Sequence, residues 1–276
     1  MNKYEICFQG EHYAFSEIAA KKFLGESAIC HPRETFEQVF RSVKEKNPSL
    51  GIIPIENTLS GSIHQNYDLL LENSVQILGE VNLRIELHLI AQPGIELTQI
   101  RAVYSHPAAI GQCRNFWKQN PKIKIIPSYD TAGSVKLVAE QGLTDAAAIA
   151  SRQAAEDYRM SILLSEIEDY PENYTRFLII STEEINFGTP NKTSIVFAAR
   201  HFPGALFKSL SVFFLRDLNL LKIESRPLRG KPWQYIFYLD FEGTMAQGSC
   251  QNALRHLEEI AEFIKVLGSY PAASQG

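Results

Sequence analysis

The chain has 276 residues, 45% of them hydrophobic, and a formal net charge of −4 at pH 7. A chain longer than the roughly 100–200 residues of a typical domain, with enough apolar residues for full cores, predicts two or three compact units. A nucleic-acid or anionic-membrane partner is disfavoured, because both need clustered Lys and Arg side chains and the sequence has no such cluster.

Cysteine usage and the N-terminal sequence indicate the compartment. The four cysteines, Cys7, Cys30, Cys113 and Cys250, are far apart in the chain, which is typical of reduced core thiols. The first residues lack the apolar run of a secretion signal, and no apolar stretch reaches the ~20 residues that a membrane-spanning helix needs. We therefore expect a cytoplasmic protein.

Apolar periodicity predicts strands and helices in alternation over the first part of the chain. Phe36, Val39, Phe40 and Val43 recur at helical spacing, whereas the segment 81–89 alternates apolar and polar residues as a half-buried strand does. A crossover between two lobes is expected near Gly79. The predicted elements are a strand at 4–8, helices at 15–23 and 36–43, a strand at 50–55 ended by Pro54, a helix at 66–71 and one long strand at 81–89.

From residue 100 onwards strands and helices continue to alternate, which favours a mostly parallel α/β sheet. A polar loop that ends at Phe177 and is stiffened by Pro171 leads into the last strand of this region. The predicted elements are strands at 100–104, 123–126, 146–150 and 178–181, and helices at 107–118 and 131–141.

Several turn-forming residues at 188–192 indicate a linker to a smaller unit. After it the apolar pattern has the order β-α-β-β-α with a short closing strand, which describes a ferredoxin-like fold. The predicted elements are strands at 194–199, 220–227, 233–241 and near 268–270, and helices at 204–217 and 253–264.

Polar loops at predicted strand ends are the candidates for chemistry. In open α/β sheets ligands bind outside the carboxyl ends of the strands, where helix N-termini offer free N–H groups to anions, so a small carboxylate is a natural ligand. The loops are Glu56-Asn57-Thr58, Ser105-His106-Pro107, Asp130-Thr131-Ala132-Gly133 and Tyr174-Thr175-Arg176.

Each candidate also has a purely structural interpretation. Ser105 or His106 would cap the helix that Pro107 starts, and Thr131 would cap the next helix. Gln112 would face solvent. Scattered histidines, the absence of Cys pairs and the lack of a Gly-rich phosphate motif disfavour a metal site and a nucleotide cofactor, so none is predicted.

Taken together and in order, the motifs resemble the prephenate dehydratase family. They are Gly51-Ile-Ile-Pro-Ile-Glu-Asn-Thr58, Ser60-Gly61, Ser105-His-Pro107, Gly111-Gln-Cys113, Asp130-Thr-Ala132 and Tyr174-Thr-Arg-Phe177, and, in the smaller unit, Gly204-Ala-Leu-Phe207 and Glu224-Ser-Arg-Pro227. The last two resemble the phenylalanine-site motifs of the family's regulatory ACT domain.

The resemblance implies a fold and a reaction. It implies an α/β protein with a two-lobed, periplasmic-binding-protein-like catalytic region at 1–187 (lobe 1 at 1–79 and 167–187, lobe 2 at 80–166). A ferredoxin-like βαββαβ ACT domain would follow at 188–276. The implied reaction converts prephenate to phenylpyruvate, water and carbon dioxide in L-phenylalanine biosynthesis. L-Phenylalanine would inhibit it, and ACT domains would pair into a homodimer and further into a homotetramer.

Site residues follow from the matching positions. The resemblance makes Thr175 the essential residue, and our hypothesis is that its hydroxyl donates a hydrogen bond or a proton to the departing hydroxide. Arg176 would hold a substrate carboxylate or brace the loop, and Glu56 would face the hydroxyl end or orient its neighbours. The candidate catalytic residues are Thr175, Glu56, Asn57, Ser105, Gln112, Thr131, Arg176 and Phe177. The candidate effector residues are Gly204, Ala205, Leu206, Asn219, Glu224, Ser225, Arg226 and Pro227.

Two alternatives stay open. One is arogenate dehydratase, whose substrate has an amino group in place of the keto oxygen, with the loop 132–134 as the region that would discriminate. The other is a non-catalytic module that binds small anions and has an amino-acid sensor attached. The family's first loop commonly has glycine and a small residue where this chain has Glu11-His12-Tyr13-Ala14, so that loop is not counted as a site.

Overall fold

The computed structural model describes residues 4–200, 202–228, 230–231 and 233–273. By internal contacts these residues divide into two compact units, one formed by 4–66 and 81–177 and the other by 67–80 and 178–273. The segments 67–80 and 178–187 therefore belong to the same compact unit as the C-terminal elements. The expected division of the catalytic region into two lobes stays a prediction.

The elements up to residue 181 form two sheets with helices between the strands. In chain order they are β1 (Glu5–Gln9), α1 (Phe15–Leu24), β2 (Ile29–Arg33), α2 (Phe36–Lys44), β3 (Leu50–Asn57), β4 (Gly61–Ser62), α3 (His64–Glu72), β5 (Gln76–Arg84), β6 (His88–Ala91), a 3-10 turn (Leu97–Gln99), β7 (Ala102–Ser105), α4 (Pro107–Gly111), α5 (Arg114–Gln119), β8 (Lys124–Pro127), α6 (Thr131–Glu140), β9 (Ala146–Ala150), α7 (Arg152–Asp157), β10 (Ser161–Leu164) and β11 (Tyr174–Ser181).

Sheet 1 has the strand order β2-β1-β3-β11-β5, with β4 beside β3, and sheet 2 has the order β10-β6-β9-β7-β8. β1 runs parallel to β2 and β3, and β7 runs parallel to β8 and β9, as the alternation of strands and helices predicted. β6 is antiparallel to both of its neighbours. The sheets are therefore mixed, and the α/β prediction is confirmed.

The predicted long strand at 81–89 is wrong. The chain stays in sheet 1 through Arg84 and enters sheet 2 at His88, so the passage between sheets lies there and not near Gly79. Between the two strands the Ile85 amide donates to the Asn173 carbonyl at 2.7 Å and the Leu87 amide donates to the Glu168 carboxylate at 2.9 Å. The segment 85–87 keeps the alternation of buried and less buried residues, although its backbone amides bind the segment 168–173 and not a neighbouring strand.

Other boundaries differ for local reasons. β3 continues past Pro54 to Asn57, because its pairing with β1 ends at Ile52 and the missing proline N–H interrupts no bond to that strand. The helix predicted at 107–118 is two helices, since the Asp169 carboxylate accepts the first amides of α5 and starts it afresh. β2, α7 and β10 have no counterpart among the predicted elements.

The C-terminal elements are β12 (Lys192–Ala199), α8 (Ala205–Phe214), β13 (Leu220–Pro227), β14 (Tyr235–Glu242), α9 (Gly248–Ile260) and β15 (Ala261–Tyr270). They form an antiparallel sheet 3 with the order β13-β14-β12-β15, which confirms the βαββαβ, ferredoxin-like arrangement. α8 and α9 cover one face of it through a core that includes Phe197, Phe213 and Leu257.

The closing strand of sheet 3 is longer than predicted. Ile264, expected in the last helix, pairs with Phe197 in the sheet, because β15 begins directly after α9 ends. Among the described residues, no helix combines the length and the apolar character that crossing a membrane demands. All four cysteines are free and buried.

Candidate active site

A cavity of about 490 Å³ lies within the first compact unit. The first turns of five helices line it, together with the ends of β3 and β11 and the segment between β5 and β6. Its lining residues include Ala14, Phe15, Ser16, Glu34, Thr35, Phe36, Glu37, Asn57, Ser60, Ile85, Leu87, His106, Ala108, Gln112, Tyr129, Asp130, Thr131, Thr175 and Phe177. A cavity ringed by helix N-termini suits an anionic ligand.

β11 delivers its side chains to the cavity by strand alternation. Thr175 and Phe177 line the cavity, whereas Arg176 between them points to the other face of the sheet. There its Nε atom lies 3.2 Å from Glu56 Oε1. Of the two roles considered for Arg176, the ion pair supports bracing, and neither Arg176 nor Glu56 is among the cavity-lining residues. These residues lie within a strand, and not in the loop that the sequence predicted.

A network of buried side-chain amides surrounds Thr175. The Asn57 amide nitrogen donates to Thr175 Oγ1 at 3.0 Å and to Asn173 Oδ1 at 2.7 Å. Asn173 in turn donates to Gln112 Oε1 at 2.9 Å, and Gln112 donates to Asn57 Oδ1 at 3.2 Å and to the Ser60 hydroxyl at 3.0 Å. The three amides therefore form a closed ring that fixes the position of the threonine.

The ring also fixes the orientation of the Asn57 amide. Its oxygen accepts the backbone amides of Leu59 at 2.9 Å and Ser60 at 2.8 Å, so its nitrogen must be the atom that faces Thr175. The threonine oxygen is then the acceptor in this pair. Its own proton is left to point elsewhere, and the side chain lines the cavity.

Ser105 does not reach the cavity. Its side chain is fully buried and donates to the Ile149 carbonyl at 2.6 Å, and it is absent from the lining among the described residues. Ser105 therefore has a structural role, because its hydroxyl links β7 to the neighbouring strand β9. Gln112, by contrast, is 9% exposed and belongs to the site, so its alternative interpretation as a solvent-facing residue is wrong.

Thr131 lines the cavity, but it does not cap its helix. The cap is Asp130, whose carboxylate accepts the amides of Thr131 at 2.8 Å and Gly133 at 3.0 Å.

Burial raises the pKa of the Asp130 carboxyl above its ordinary value, although these amides and that of Glu11 act against the rise. Burial likewise lowers the pKa of His106, whose ring caps α4. The residue pair Asp130 and His106 was not among the predicted site residues.

Asn173 is another residue that the sequence interpretation missed. It is fully buried, and a position two residues before Thr175 in an extended segment indicates a side chain on the same face. That spacing was the available signal. The first turn of α1 was set aside because of its unusual loop, yet Ala14, Phe15 and Ser16 line the cavity.

In the second unit, the predicted effector residues divide between two cavities and a sheet. Gly204, Ala205 and Leu206 line a cavity of about 270 Å³, and Asn219 lines another of about 460 Å³. The motif 224–227 lies in β13 and lines neither. Its Arg226 instead forms an ion pair with Asp68 at 3.0 Å.

Comparison with known proteins places this site in a family. A family model described as prephenate dehydratase matches residues 6–185, which is more than half of the chain. The chain belongs to the prephenate dehydratase family. Proteins of this type are lyases that couple dehydration to decarboxylation, and the chain is such a lyase. The predicted family membership and the prediction of an enzyme, rather than a non-catalytic binding module, are confirmed.

Relatives in the family are named for arogenate, for prephenate or for both substrates. The chain is 44% identical over 281 residues to arogenate dehydratase/prephenate dehydratase 2, chloroplastic, of Arabidopsis thaliana, covering 98% of this chain and 73% of that protein. It is 39% identical over 273 residues to the bifunctional chorismate mutase/prephenate dehydratase of Aquifex aeolicus (strain VF5), covering 98% and 74%.

A solved structure extends the comparison to the C-terminal unit. The prephenate dehydratase from Arthrobacter aurescens in complex with L-Phe superimposes with a TM-score of 0.87 at 29% identity, covering 96% of this chain and 89% of that one. The family likeness therefore includes the elements after residue 185 as well as the cavity-forming region.

Proposed function

We propose that the chain converts prephenate to phenylpyruvate, carbon dioxide and water. The observation that carries this proposal is the hydrogen bond from Asn57 to the Thr175 oxygen, because it leaves the threonine proton free for a ligand in the cavity. Loss of carbon dioxide and hydroxide makes the substrate ring aromatic, so the driving force is internal to the substrate. The protein has only to help hydroxide leave.

The Thr175 hydroxyl supplies that help by donating to the departing oxygen, a general-acid role that is usually worth roughly 10²–10⁴-fold in rate. The closed ring of Asn57, Asn173 and Gln112 holds the hydroxyl in place, so little reorganisation is needed when the substrate binds. Phe177, on the same face of β11, offers an apolar surface to the ring.

Arogenate is a comparable second substrate. It has an ammonium group where prephenate has a keto oxygen, and the acidic residues Glu34, Glu37 and Asp130 are among those that line the cavity. Each would pair favourably with an ammonium group. The residues first considered for this choice, 132–134, are buried in α6 and do not line the cavity.

Turnover of both substrates by the purified protein tests the proposal. Phenylpyruvate is followed by its absorbance in base, and phenylalanine formed from arogenate by chromatography. A kcat/KM for prephenate above that for arogenate supports the first assignment, and the reverse ratio supports the second. Release of neither product would refute both.

Feedback inhibition by L-phenylalanine is the regulatory part of the proposal. The second unit has the ferredoxin-like order of an ACT domain, and the similar Arthrobacter aurescens structure contains L-Phe. In this proposal Gly204, Ala205, Leu206 and Asn219 bind the effector, Glu224, Ser225 and Pro227 shape the site from β13, and Arg226 acts through its ion pair with Asp68. An effector inhibits only if it binds one state more tightly than the other.

Oligomerisation and compartment complete the proposal. α8 exposes Phe207 and Phe214 at 76% and 80%, which fits a homodimer through ACT domains and a homotetramer built from it. The protein is proposed to act in the cytoplasm. Equilibrium dialysis with labelled L-phenylalanine, together with sedimentation of the protein with and without it, tests the regulation. Failure to bind would remove the regulatory part and leave the catalytic part intact.

A further inference from the structure

The charge of the cavity lining raises a problem for a substrate with two carboxylates. Among the lining residues that the structure describes, none is Lys or Arg, whereas Glu34, Glu37 and Asp130 are acidic. A dianion in such a cavity needs another source of positive potential. Helix N-termini are such a source, because their first amides lack partners and carry partial positive charge.

Five helices begin at the cavity, namely α1, α2, α3, α4 and α6, and side chains at the starts of α2, α4 and α6 cap those three. Thr35 accepts the Gln38 amide at 3.3 Å at the start of α2, and His106 accepts the Ala108 amide at 3.2 Å at the start of α4. Asp130 caps α6 in the same way. These side chains accept backbone N–H groups that would otherwise be free to bind a ligand.

α1 begins without a side-chain cap. It follows Ala14, whose methyl group accepts no hydrogen bond, and within the described part of the chain the amides of Phe15 and Ser16 have no acceptor. Both residues line the cavity. The helix has 10 residues, which is long enough for its dipole to act at this end.

The Ser16 side chain gives a second, independent indication. Ser16 is 8% exposed and lines the cavity, yet its hydroxyl has no hydrogen-bond partner among the described residues. Because Ser16 lines the cavity and its hydroxyl is not used within the protein, the hydroxyl is available to donate to a ligand there. The side chain and the helix start thus converge on the same part of the cavity.

The loop before α1 keeps this group of donors open. Tyr13 has a φ of 72°, which is rare for a residue with a side chain, and its amide donates to the Glu17 carboxylate at 2.7 Å while its carbonyl accepts from Ser151 at 3.1 Å. Glu17 is also paired with Lys21 at 2.8 Å, so its charge is offset and its oxygens are occupied away from Phe15 and Ser16.

We infer that the amides of Phe15 and Ser16, with the Ser16 hydroxyl, bind one carboxylate of the substrate. This inference rests on the proposed function, because it assigns a partner to a charge that both prephenate and arogenate carry. In this inference, the loop Glu11-His12-Tyr13, which connects β1 to α1, also positions the N-terminus of α1.

Ser16→Asp and Ser16→Ala test the inference. Asp in the first turn stabilises a helix, so the melting temperature of Ser16→Asp should stay equal or rise, while its carboxylate repels the substrate. We expect KM to rise roughly 100-fold in Ser16→Asp and roughly 10-fold in Ser16→Ala, the range for losing a hydrogen bond to a charged group. kcat should change far less in both.

Ser27→Asp is the matched control, since Ser27 is exposed beyond the other end of α1 and the substitution adds the same charge. It should leave KM unchanged. An unchanged KM in Ser16→Asp, or a loss of kcat with a lower melting temperature in both Ser16 variants, would overturn the inference while wild-type turnover keeps the proposed function standing.

If the wild-type protein turned over neither substrate, binding would decide instead. Calorimetry with phenylpyruvate, a monocarboxylate, would support the site if the wild type and Ser27→Asp bind it and Ser16→Asp does not. Binding that is equal in all three proteins, or absent from the wild type, would reject it.

Discussion

The side-chain amide of Asn57 donates a hydrogen bond to Thr175 Oγ1 at 3.0 Å, although 118 positions separate the two residues in the chain. The pair exists because β3 and β11 are neighbours in sheet 1. Asn57 is in turn held by Asn173 and Gln112, so the threonine belongs to a rigid polar group in a buried setting. Buried networks of this kind are costly to break, because each lost partner leaves a desolvated polar atom.

Thr175→Ala should lower kcat by roughly 10²–10⁴-fold, because it removes the proposed proton donor. Thr175→Ser keeps the hydroxyl and should restore a substantial part of the rate. The measurement is steady-state turnover of prephenate and arogenate, with circular dichroism to check the fold. Near-normal turnover by a folded Thr175→Ala protein would contradict the role given to this residue.

Asn173→Ala should destabilise the protein by about 1–3 kcal/mol, because it removes the donor to Gln112 Oε1 and one acceptor of the Asn57 amide from a buried ring. It should also reduce kcat, since the Thr175 hydroxyl loses its support. Urea denaturation and steady-state kinetics measure the two effects. Asn115→Ala, at an exposed position in α5, is the control and should change neither. Equal behaviour of the two variants would argue against a positioning role.

Lys192→Met should cost about 3–5 kcal/mol of folding stability. Lys192 Nζ lies 3.0 and 2.9 Å from the two carboxylate oxygens of Glu80 and 3.9 Å from Asp240, and all three residues are buried. Removing the cation leaves two acidic groups in the interior. Chemical denaturation measures the loss, with Lys124→Met on the exposed strand β8 as the control, expected within about 0.5 kcal/mol of wild type. A loss no larger than that of the control would contradict the assignment.

Gly268→Ala should destabilise the second unit by about 1–3 kcal/mol through overpacking. A methyl group at this position would overlap the Ile77 carbonyl oxygen, and a backbone atom cannot move aside as a flexible side chain can. Gly248→Ala makes the same chemical change at the start of α9, where nothing lies within 4 Å. That control should be neutral or slightly stabilising in a thermal melt. The prediction fails if both variants melt alike.

Glu17 should make stability fall as the pH is lowered below about 4.5. Burial raises its pKa, but hydrogen bonds from Lys21 and the Tyr13 amide outweigh burial, so the folded-state pKa lies below the ordinary 4.5. The folded protein then binds fewer protons than the unfolded chain, and the contribution of Glu17 is present above pH 4.5 and lost as the pH falls through the folded pKa.

Urea midpoints between about pH 3 and 6 measure this effect. Glu17→Gln should show a flatter dependence than wild type, and Glu26→Gln, at an exposed position in the turn after α1, should not. Part of the slope will remain in Glu17→Gln, because the pKa values of Glu11 and Glu37 are lowered as well. Identical curves for wild type and Glu17→Gln would rule out the contribution.

Local pattern was enough to predict most elements and the fold class. The spacing of Phe36, Val39, Phe40 and Val43 marked α2, the apolar run at 146–150 marked β9, and the order of elements after residue 190 marked the ferredoxin-like unit. These signals are periodicities of 3.6 and 2 residues, which a single stretch of chain contains in full. The ordered motifs likewise indicated the family, because each motif is a short run of neighbouring residues.

Tertiary structure alone decided which motif residues face the cavity. Glu56 and Arg176 pair with each other away from it, and Ser105 bonds to a neighbouring strand. Asn173 instead supports the site through Asn57 and Gln112, and Ser16 lines the cavity. The side on which a residue lies depends on strand register and on the contacts of segments more than a hundred positions apart. Local sequence does not encode such contacts, because they result from pairing and packing of the whole chain.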